Sequence, residues 1–227
     1  MLYLFSCLKM YILNIETSTK NCSVSIAKSG KTILLKEIAE QNFSHSEKLH
    51  LFIDGLLKET QIPYKELAAI ALSKGPGSYT GLRIGTSTAK GLCYALDIPL
   101  IAIDTLLVLA KQINTQDALI IPMIDARRME VYTAVFDRNH HKISEVEALV
   151  IDRNSFNEVS QKAYLIGDGA SKCKEVLSDE NFIFLDEIIY PSAREMSEIS
   201  FEKYQNQQFE DLAYFEPFYL KEFFTGK

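Results

Sequence analysis

The sequence predicts an α/β fold made of two similar halves, each a mixed sheet flanked by helices. In each half, three apolar segments joined by short turns are typical of an antiparallel meander, and the strands that follow alternate with helices, which predicts parallel pairing. The halves also match by role. The segments "ILNIETSTKNCSVSIA" (12–27) and "IPMIDARRMEVYTAVFD" (121–137) each give an apolar strand that ends in an acid, a tight connection and a second strand.

The first half begins with an apolar strand over residues 11–16 that ends in Glu16. Apolar periodicity and turn residues predict the other elements in this order: strands over 22–28 and 31–38 joined by Ser29-Gly30, a helix over 45–61, a strand over 68–74, a glycine-rich loop, a helix to about residue 96, a strand over 99–103 and a helix from Thr105. Ser44 as N-cap, with Glu47 three residues later, predicts a capping box at the start of the first helix.

The second half repeats this order, so Asp125 takes the place of Glu16. Its predicted elements are strands over 118–125, 130–137 and 142–151, a short polar helix, a strand over 163–167, a "GDGA" loop and two further helices. A duplicated β-β-β-α-β-α unit is the plan of the ribonuclease-H-like domains in the actin, sugar kinase and Hsp70 superfamily. This step predicts a fold, because a fold does not determine a function.

The order of elements also predicts the domain boundaries. We expect residues 10–108 to form an N-terminal ribonuclease-H-like domain and residues 109–227 to form a C-terminal one. Residues 1–9 precede Met10, which stands directly before the first patterned strand. They are either an upstream start or a short extra element.

The composition excludes several classes of protein. The formal net charge is −6 and the pI is about 5.3, so attraction to a phosphate backbone is weak over most of the surface and contact with nucleic acid is expected through a partner. The four cysteines lie far apart without a C-x-x-C pair, which indicates neither a disulfide framework nor a zinc site. No apolar run reaches the roughly 18 residues of a membrane span. These features predict a cytoplasmic protein.

The segment "SKGPGSYTGLRIG" (73–85) has two interpretations, because glycines before a helix can bind a phosphate or let two backbones approach. A Walker A loop needs a lysine after its last glycine, but Leu82 follows Gly81. The dinucleotide pattern fails too, since Thr80 stands where its third glycine belongs. The close approach of backbones is therefore favoured, and a phosphate hairpin of the superfamily stays open.

The helix behind this loop is apolar over more of its circumference than one sheet would cover, and the helix from His45 is also broadly apolar. Small residues recur every four positions on the former and make a smooth ridge that another helix can approach closely. We therefore predict a partner-binding surface on the two helices, formed by Leu49, Phe52, Leu56, Gly81, Gly85, Ala89 and Cys93. The alternative is that the ridge packs inside its own domain.

No complete catalytic set is visible in the sequence. None of the four histidines belongs to an H-E-x-x-H pattern, and Ser78 has no histidine near it in the chain. Glu16, Asp125 and Asp168 are the candidates for a metal or nucleotide site. The lack of glycines in "ETSTKN" (16–21) favours a structural role for these acids instead. We predict no catalytic residue, no bound metal and no cofactor.

Five segments together resemble the TsaB family, whose members are subunits of the bacterial machinery that makes threonylcarbamoyl-adenosine next to the tRNA anticodon. They are "ILNIETSTKNCSVSIA", "HSEKL", "SKGPGSYTGLRIGTSTAKGL", "PMIDARRMEVY" and "FYLKEFF". The resemblance runs from Met10 to the C-terminus, and the joint occurrence of the third and fourth segments is its most specific part. Tyr79 departs from the pattern, since phenylalanine is commoner there.

The resemblance implies a catalytically silent relative of TsaD, the subunit that transfers the threonylcarbamoyl group, and a heterodimer with TsaD through N-terminal-domain helices. It further implies TsaE as a member of the complex and contact with tRNA only through that complex, and it leaves open a homodimer when the partner is absent. TsaD has H-x-x-x-H metal ligands after a strand, whereas the corresponding place here reads "AIDTLLVLA" (102–110), with Thr105 and Leu109 at positions i and i+4.

Two functions follow from the sequence. The first is a non-catalytic scaffold that activates TsaD. The alternative is an independent ATP-dependent kinase or ATPase of the same superfamily, which would use Glu16, Asp125 and the loop at Gly167.

Overall fold

The computed structural model describes residues 11–39 and 45–221 of the 227-residue chain. The predictions for residues 1–9 and for the Ser44 cap lie outside the described residues. The strands are β1 (Tyr11–Glu16), β2 (Cys22–Lys28), β3 (Lys31–Ile38), β4 (Leu67–Gly75), β5 (Leu100–Asp104), β6 (Leu119–Asp125), β7 (Glu130–Thr133), β8 (Glu147–Val150), β9 (Ala163–Ile166) and β10 (Phe182–Phe184). The helices are α1 (His45–Thr60), α2 (Tyr79–Leu96), α3 (Thr105–Ala110) and α4 (Met196–Gln205), with short 3₁₀ turns at Tyr64–Glu66 and Ser171–Cys173.

The strands form two five-stranded sheets of the same design. The first has the order β3-β2-β1-β4-β5, and the second, read in the equivalent direction, has the order β8-β7-β6-β9-β10. In each sheet the first three strands are antiparallel neighbours and the last two are parallel to the central strand. The equivalence of β1 and β6 confirms the predicted duplication and the predicted fold class.

Both faces of the first sheet are covered by helices. Leu13 and Ile15 of β1 point into a core shared with α1 and α2. Ile12, on the opposite face of the same strand, belongs to a core that contains Val108 of α3 and Met196 of α4. A strand covered on both faces carries apolar residues on both faces instead of alternating, and Tyr11, Ile12 and Leu13 of β1 are three such residues in a row.

The end of the chain returns to the first sheet, although the sequence assigned all of 109–227 to the second half. Met196 and Ile199 of α4 are buried against the first sheet, and Phe215 is buried in the core of α1 and α2. We call β1–β5 with α1, α2, α4 and residues 209–218 the first lobe, and β6–β10 the second lobe. Helix α3 contacts both sheets.

Local chemistry explains where the second half departs from its predicted elements. The predicted polar helix after β8 is a series of turns, in which Asp152 Oδ1 accepts hydrogen bonds from the Asn154 backbone N–H at 2.8 Å and the Ser155 hydroxyl at 3.2 Å. Side chains of this kind compete with helical hydrogen bonds. The strand β10 was not predicted, and a 3₁₀ turn stands where the first of the two further helices was expected. In the described part of the chain, no helix is long and apolar enough to cross a membrane.

Candidate functional site

A cleft of about 530 Å³ lies between the two lobes, where the equivalent strands β1 and β6 end. Its first wall contains Ser18, Thr19 and Lys20 from the hairpin after β1, together with the start of α2. Its second wall contains Asp125 and Arg127 from the hairpin after β6. Because the hairpins that follow two equivalent strands face each other across it, the cleft is the candidate functional site.

The glycines of 73–85 bring the first hairpin into contact with α2. A Cβ atom added to Gly77, Gly81 or Gly85 would lie closer than 3.0 Å to an oxygen of Thr17 or Ser18, a distance that real Cβ atoms essentially never show. The Thr17 hydroxyl donates to the Gly81 carbonyl at 2.8 Å, and the Ser78 N–H donates to the Ser18 carbonyl at 2.6 Å. These contacts support the close-approach interpretation of the glycine-rich segment.

The predicted partner-binding surface needs a correction. Six of its seven residues are buried within this chain, because their face of each helix points toward the first sheet and the hairpin. Leu49, Leu56, Ala89 and Cys93 are fully buried, and the Gly81 and Gly85 positions are closed by Thr17. Phe52 is partly exposed and packs against the same core. These residues therefore fit the alternative interpretation, in which the ridge packs inside its own domain.

The outward side of α2 carries a different row, which starts at Ile84 at the edge of the core and continues with three smaller residues, and the sequence interpretation missed it. Ile84 and Thr88 are partly exposed, and Gly91 and Ala95 are exposed. At 100° per residue these four positions fall within about 60° of arc. A Cβ at Gly91 would meet nothing within 4 Å, so no contact inside the chain requires a glycine there. Leu51 of α1 is also 64% exposed. The sequence signal for this outward surface was Gly91, because a glycine inside a helix lowers helix stability and so indicates a contact that requires it.

The three candidate acids do not converge on one point. Asp125 and Asp168 do meet, since the Asp125 N–H donates to Asp168 Oδ1 at 2.9 Å, and Asp125 also forms an ion pair with Lys172. Burial raises the pKa of Asp168. Glu16 instead is fully buried beneath the first hairpin and does not line the cleft. Within residues 11–39 and 45–221, no group of three or more His, Cys, Asp or Glu side chains is arranged to hold a metal ion.

The "GDGA" loop also has a packing role. A Cβ atom added to Gly167 would lie closer than 3.0 Å to the Met123 carbonyl oxygen, and one added to Gly169 would lie 2.8 Å from the Val131 side chain. Both glycines therefore let the loop approach the second sheet closely. Of the loop, only Asp168 reaches the cleft.

Comparison with known proteins identifies the family. The profile of the family described as "TsaD: tRNA N6-adenosine threonylcarbamoyltransferase" matches residues 33–215. The tRNA threonylcarbamoyladenosine biosynthesis protein TsaB of Bacillus subtilis (strain 168) is 32% identical over 178 residues, which cover 75% of this chain and 76% of that protein. The chain belongs to the TsaB family.

Two further relatives agree with membership of the TsaB family. The TsaB protein of Escherichia coli (strain K12) is 27% identical over 221 residues, which cover 93% of this chain and 95% of that protein. The structure described as YeaZ from Pseudomonas aeruginosa superposes with a TM-score of 0.81 at 24% identity and covers 93% of this chain and 100% of that one. At that identity the superposition shows the shared fold.

In this member of the family, the place that the resemblance aligns with the H-x-x-x-H ligands of TsaD is part of the core. Thr105 is fully buried, and its hydroxyl accepts a hydrogen bond from the Gly75 N–H at 3.1 Å. Leu109 is fully buried in the core beneath β6 and near Gly167. Neither side chain faces the cleft.

His45, His140 and Ser78 each have a structural partner. His45 Nε2 lies 2.7 Å from the Thr19 carbonyl, and burial lowers the pKa of His45. His140 Nε2 lies 2.8 Å from the Ile113 carbonyl. The Ser78 hydroxyl accepts the Gly81 N–H as the N-cap of α2. No histidine is hydrogen-bonded to Ser78 among the contacts that the structure describes.

Of the three candidate acids, Glu16, Asp125 and Asp168, only Glu16 is wholly removed from water. Its Oε1 accepts the Ser18 N–H at 2.6 Å and the Ser18 hydroxyl at 2.5 Å, whereas its Oε2 has no hydrogen-bond partner among the described residues. Burial raises the pKa of Glu16 above 4.5, and the bonds from Ser18 offset part of that rise. The nearby Ser73 hydroxyl also acts to lower the pKa, although it forms no hydrogen bond of ordinary geometry.

Replacing Glu16 with glutamine is expected to change how stability depends on pH. At low pH, Glu16 is protonated in both the folded and the unfolded chain, so its burial adds no pH-dependent cost to folding. Because the pKa of Glu16 is raised in the folded chain, the free energy of unfolding falls as the pH rises from 4.5 through that raised pKa. Glu16→Gln removes this loss. The difference between the melting temperatures of Glu16→Gln and the unaltered chain, measured by circular dichroism, should therefore increase from pH 4 to pH 8. For the exposed Glu158→Gln, the corresponding difference should not change with pH. A constant difference across this range would contradict the assignment.

Proposed function

We propose that this protein acts in tRNA threonylcarbamoyladenosine biosynthesis as a non-catalytic subunit that binds and activates a TsaD homologue, together with TsaE. The process is the one for which its TsaB relatives are named. The observation that carries the non-catalytic part is the position of Leu109, which fills a core site where the resemblance places a TsaD metal ligand. A leucine side chain offers no ligand atom to a metal.

The first hairpin of the cleft supports the same proposal. In active members of the superfamily, backbone N–H groups of such hairpins would be free to hold a phosphate. Here the Ser18 N–H donates to the Glu16 carboxylate, and the Ser18 carbonyl is held by the Ser78 N–H. The carboxylate of Glu16 thus takes the hydrogen bond that an anionic ligand would need from Ser18.

The partner surface that we propose is the outward face of α1 and α2. Leu51 is exposed on α1, and the row of Ile84, Thr88, Gly91 and Ala95 lies along α2. Small side chains in such a row allow a second helix to pack at the short end of the usual interaxial range of about 8–10 Å. An interior glycine costs roughly 1 kcal/mol relative to alanine, and close contact with a partner would offset the cost at Gly91.

Charge favours an indirect role toward tRNA. The net charge of −6 gives a field that repels a polyanion over most of the surface, so we assign contact with tRNA to the partner subunits in the cytoplasm. We assign no cofactor to this chain.

Reconstitution tests the proposal. The purified chain is expected to transfer no threonylcarbamoyl group to tRNA from threonylcarbamoyl-adenylate, whereas its addition to the TsaD homologue with TsaE and ATP should allow repeated turnover. Modified adenosine is measured by mass spectrometry of digested tRNA, and TsaD with TsaE alone is the control. Transfer by the isolated chain, or equal turnover without it, would refute the proposal.

The alternative, an independent kinase or ATPase, is favoured only by the meeting of Asp125 and Asp168 at the cleft. It requires tight binding of magnesium and ATP by the isolated chain. Titration calorimetry is expected to show weak binding or none, and a submicromolar dissociation constant would favour the alternative instead.

A further inference from the structure

The last described residues lead from the first lobe to the cleft. The Glu210 N–H donates to the Leu100 carbonyl at 2.9 Å, so the segment lies along the edge strand β5. Lys90 of α2 then donates to the Ala213 and Phe215 carbonyls at 3.1 and 3.2 Å. The chain is therefore attached to the first lobe well before it reaches the cleft.

The final attachment to the first lobe lies at the cleft itself. The Phe218 N–H donates to the Lys74 carbonyl, at the end of β4, at 2.7 Å. The ring of Tyr219 then lies 4.5 Å, centroid to centroid, from the ring of Tyr79 at the start of α2. The guanidinium of Arg83 lies 4.1 Å from the centroid of the same Tyr79 ring. Tyr219 is thus held against a ring that is itself held in place.

The next residues reach the second lobe. Lys221 forms an ion pair with Glu130, the first residue of β7, whose side chain is only 17% exposed. Glu130 is held in turn, because its carbonyl accepts a hydrogen bond from Lys172 at 2.7 Å. Tyr219, Leu220 and Lys221 all line the cleft. The segment therefore crosses the cleft from one wall to the other.

We propose that residues 218–221 act as a strap that ties the two lobes together across the cleft and sets how far the cleft can open. Three residues span at most about 11 Å when fully extended. While Phe218 and Lys221 keep their partners, the carbonyl of Lys74 and the carboxylate of Glu130 can separate only by the slack in that short segment. One partly exposed ion pair and one ring contact are modest attachments, so the strap is releasable.

The strap is tested by a distance measurement on the full-length chain. Cys7 is replaced by serine, and nitroxide labels are attached at Lys65→Cys and Glu158→Cys, which are exposed on the first and second lobes. The other three cysteines are buried. Double electron–electron resonance then gives the distribution of distances between the lobes. We expect a narrow distribution for the parent, and a broader one with longer distances for Lys221→Glu and for Tyr219→Ala.

Two controls separate a strap from a general loss of structure. Tyr214→Ala removes a tyrosine that is 85% exposed on the same segment and should leave the distribution unchanged. Glu130→Lys combined with Lys221→Glu restores an ion pair of reversed polarity and should return the distribution toward that of the parent. Unchanged distributions for both Lys221→Glu and Tyr219→Ala would overturn the proposal, as would a Lys221→Glu effect that Glu130→Lys does not reverse.

Discussion

Replacing Gly81 with alanine should destabilise the isolated chain by about 1 to 3 kcal/mol, the usual cost of overpacking a tight contact. The added methyl group would overlap the carbonyl oxygen of Thr17, which is a backbone atom and cannot move aside as the end of a flexible side chain could. The carbonyl of Gly81 also accepts the Thr17 hydroxyl, so moving the hairpin away weakens a second contact. The measurement is the unfolding free energy from urea titration followed by circular dichroism.

Gly91→Ala is the matched control, because it makes the same substitution in the same helix at a position with nothing within 4 Å. Alanine has the higher helix propensity, so this variant should gain roughly 0.5 to 1 kcal/mol. The two variants should therefore move stability in opposite directions. If Gly81→Ala stabilised the chain as much as Gly91→Ala, the hairpin would not rest on α2 as the structure shows.

The contrast between Gly81 and Gly91 shows what helical periodicity can and cannot predict. The four-residue spacing identified Gly81, Gly85, Ala89 and Cys93 as one ridge, and they do share one face of α2. Periodicity gives the residues that share a face but does not give what covers that face. Thr17, more than sixty residues earlier, covers Gly81 and Gly85, and the apolar core of the first sheet covers Ala89 and Cys93. The approach of Thr17 depends on the packing of the whole sheet.

The predicted fold class was confirmed for a related reason. Continuous apolar strands and their turn residues are local signals, and the repetition of their order in both halves identified β1 and β6 as equivalent. The return of α4 to the first sheet had no local signal. Met196 and Ile199 would serve equally well against either sheet, so only the three-dimensional arrangement assigns them.

The candidate site was predicted in part. The duplication placed Asp125 at the end of a strand, and its contact with Asp168 follows from β6 and β9 being neighbours in the sheet. The withdrawal of Glu16 from the cleft could not be read from the sequence, because it depends on the hydrogen bonds from Ser18 and on the complete burial of the carboxyl group in the folded chain. Residues 218–221 contributed to the sequence interpretation only as part of the family resemblance, and nothing in their sequence predicted that they would cross the cleft.

If the outward face of α2 binds the TsaD homologue, Gly91→Leu should weaken that binding about tenfold to a hundredfold while the chain stays folded. A leucine side chain on the row of small residues would hold a partner helix away and remove close contacts on both sides. Overpacking of this kind costs about 1 to 3 kcal/mol, and each 1.4 kcal/mol is about a factor of ten in the dissociation constant. In the isolated chain the side chain meets open space, so circular dichroism and the melting temperature should match the parent or improve slightly.

Titration calorimetry with the purified TsaD homologue measures the effect, and two variants make it specific. Glu202→Leu places the same exposed leucine on α4, away from α1 and α2, and should leave the affinity unchanged. Gly91→Ala should fall between the parent and Gly91→Leu, because the loss follows the size of the side chain that the partner helix must accommodate. Unchanged affinity for Gly91→Leu, with binding by the parent intact, would exclude this face of α2 while leaving the proposed partnership standing. Absence of binding by the parent would reject the partnership itself, so the two failures are distinguished in one series of titrations.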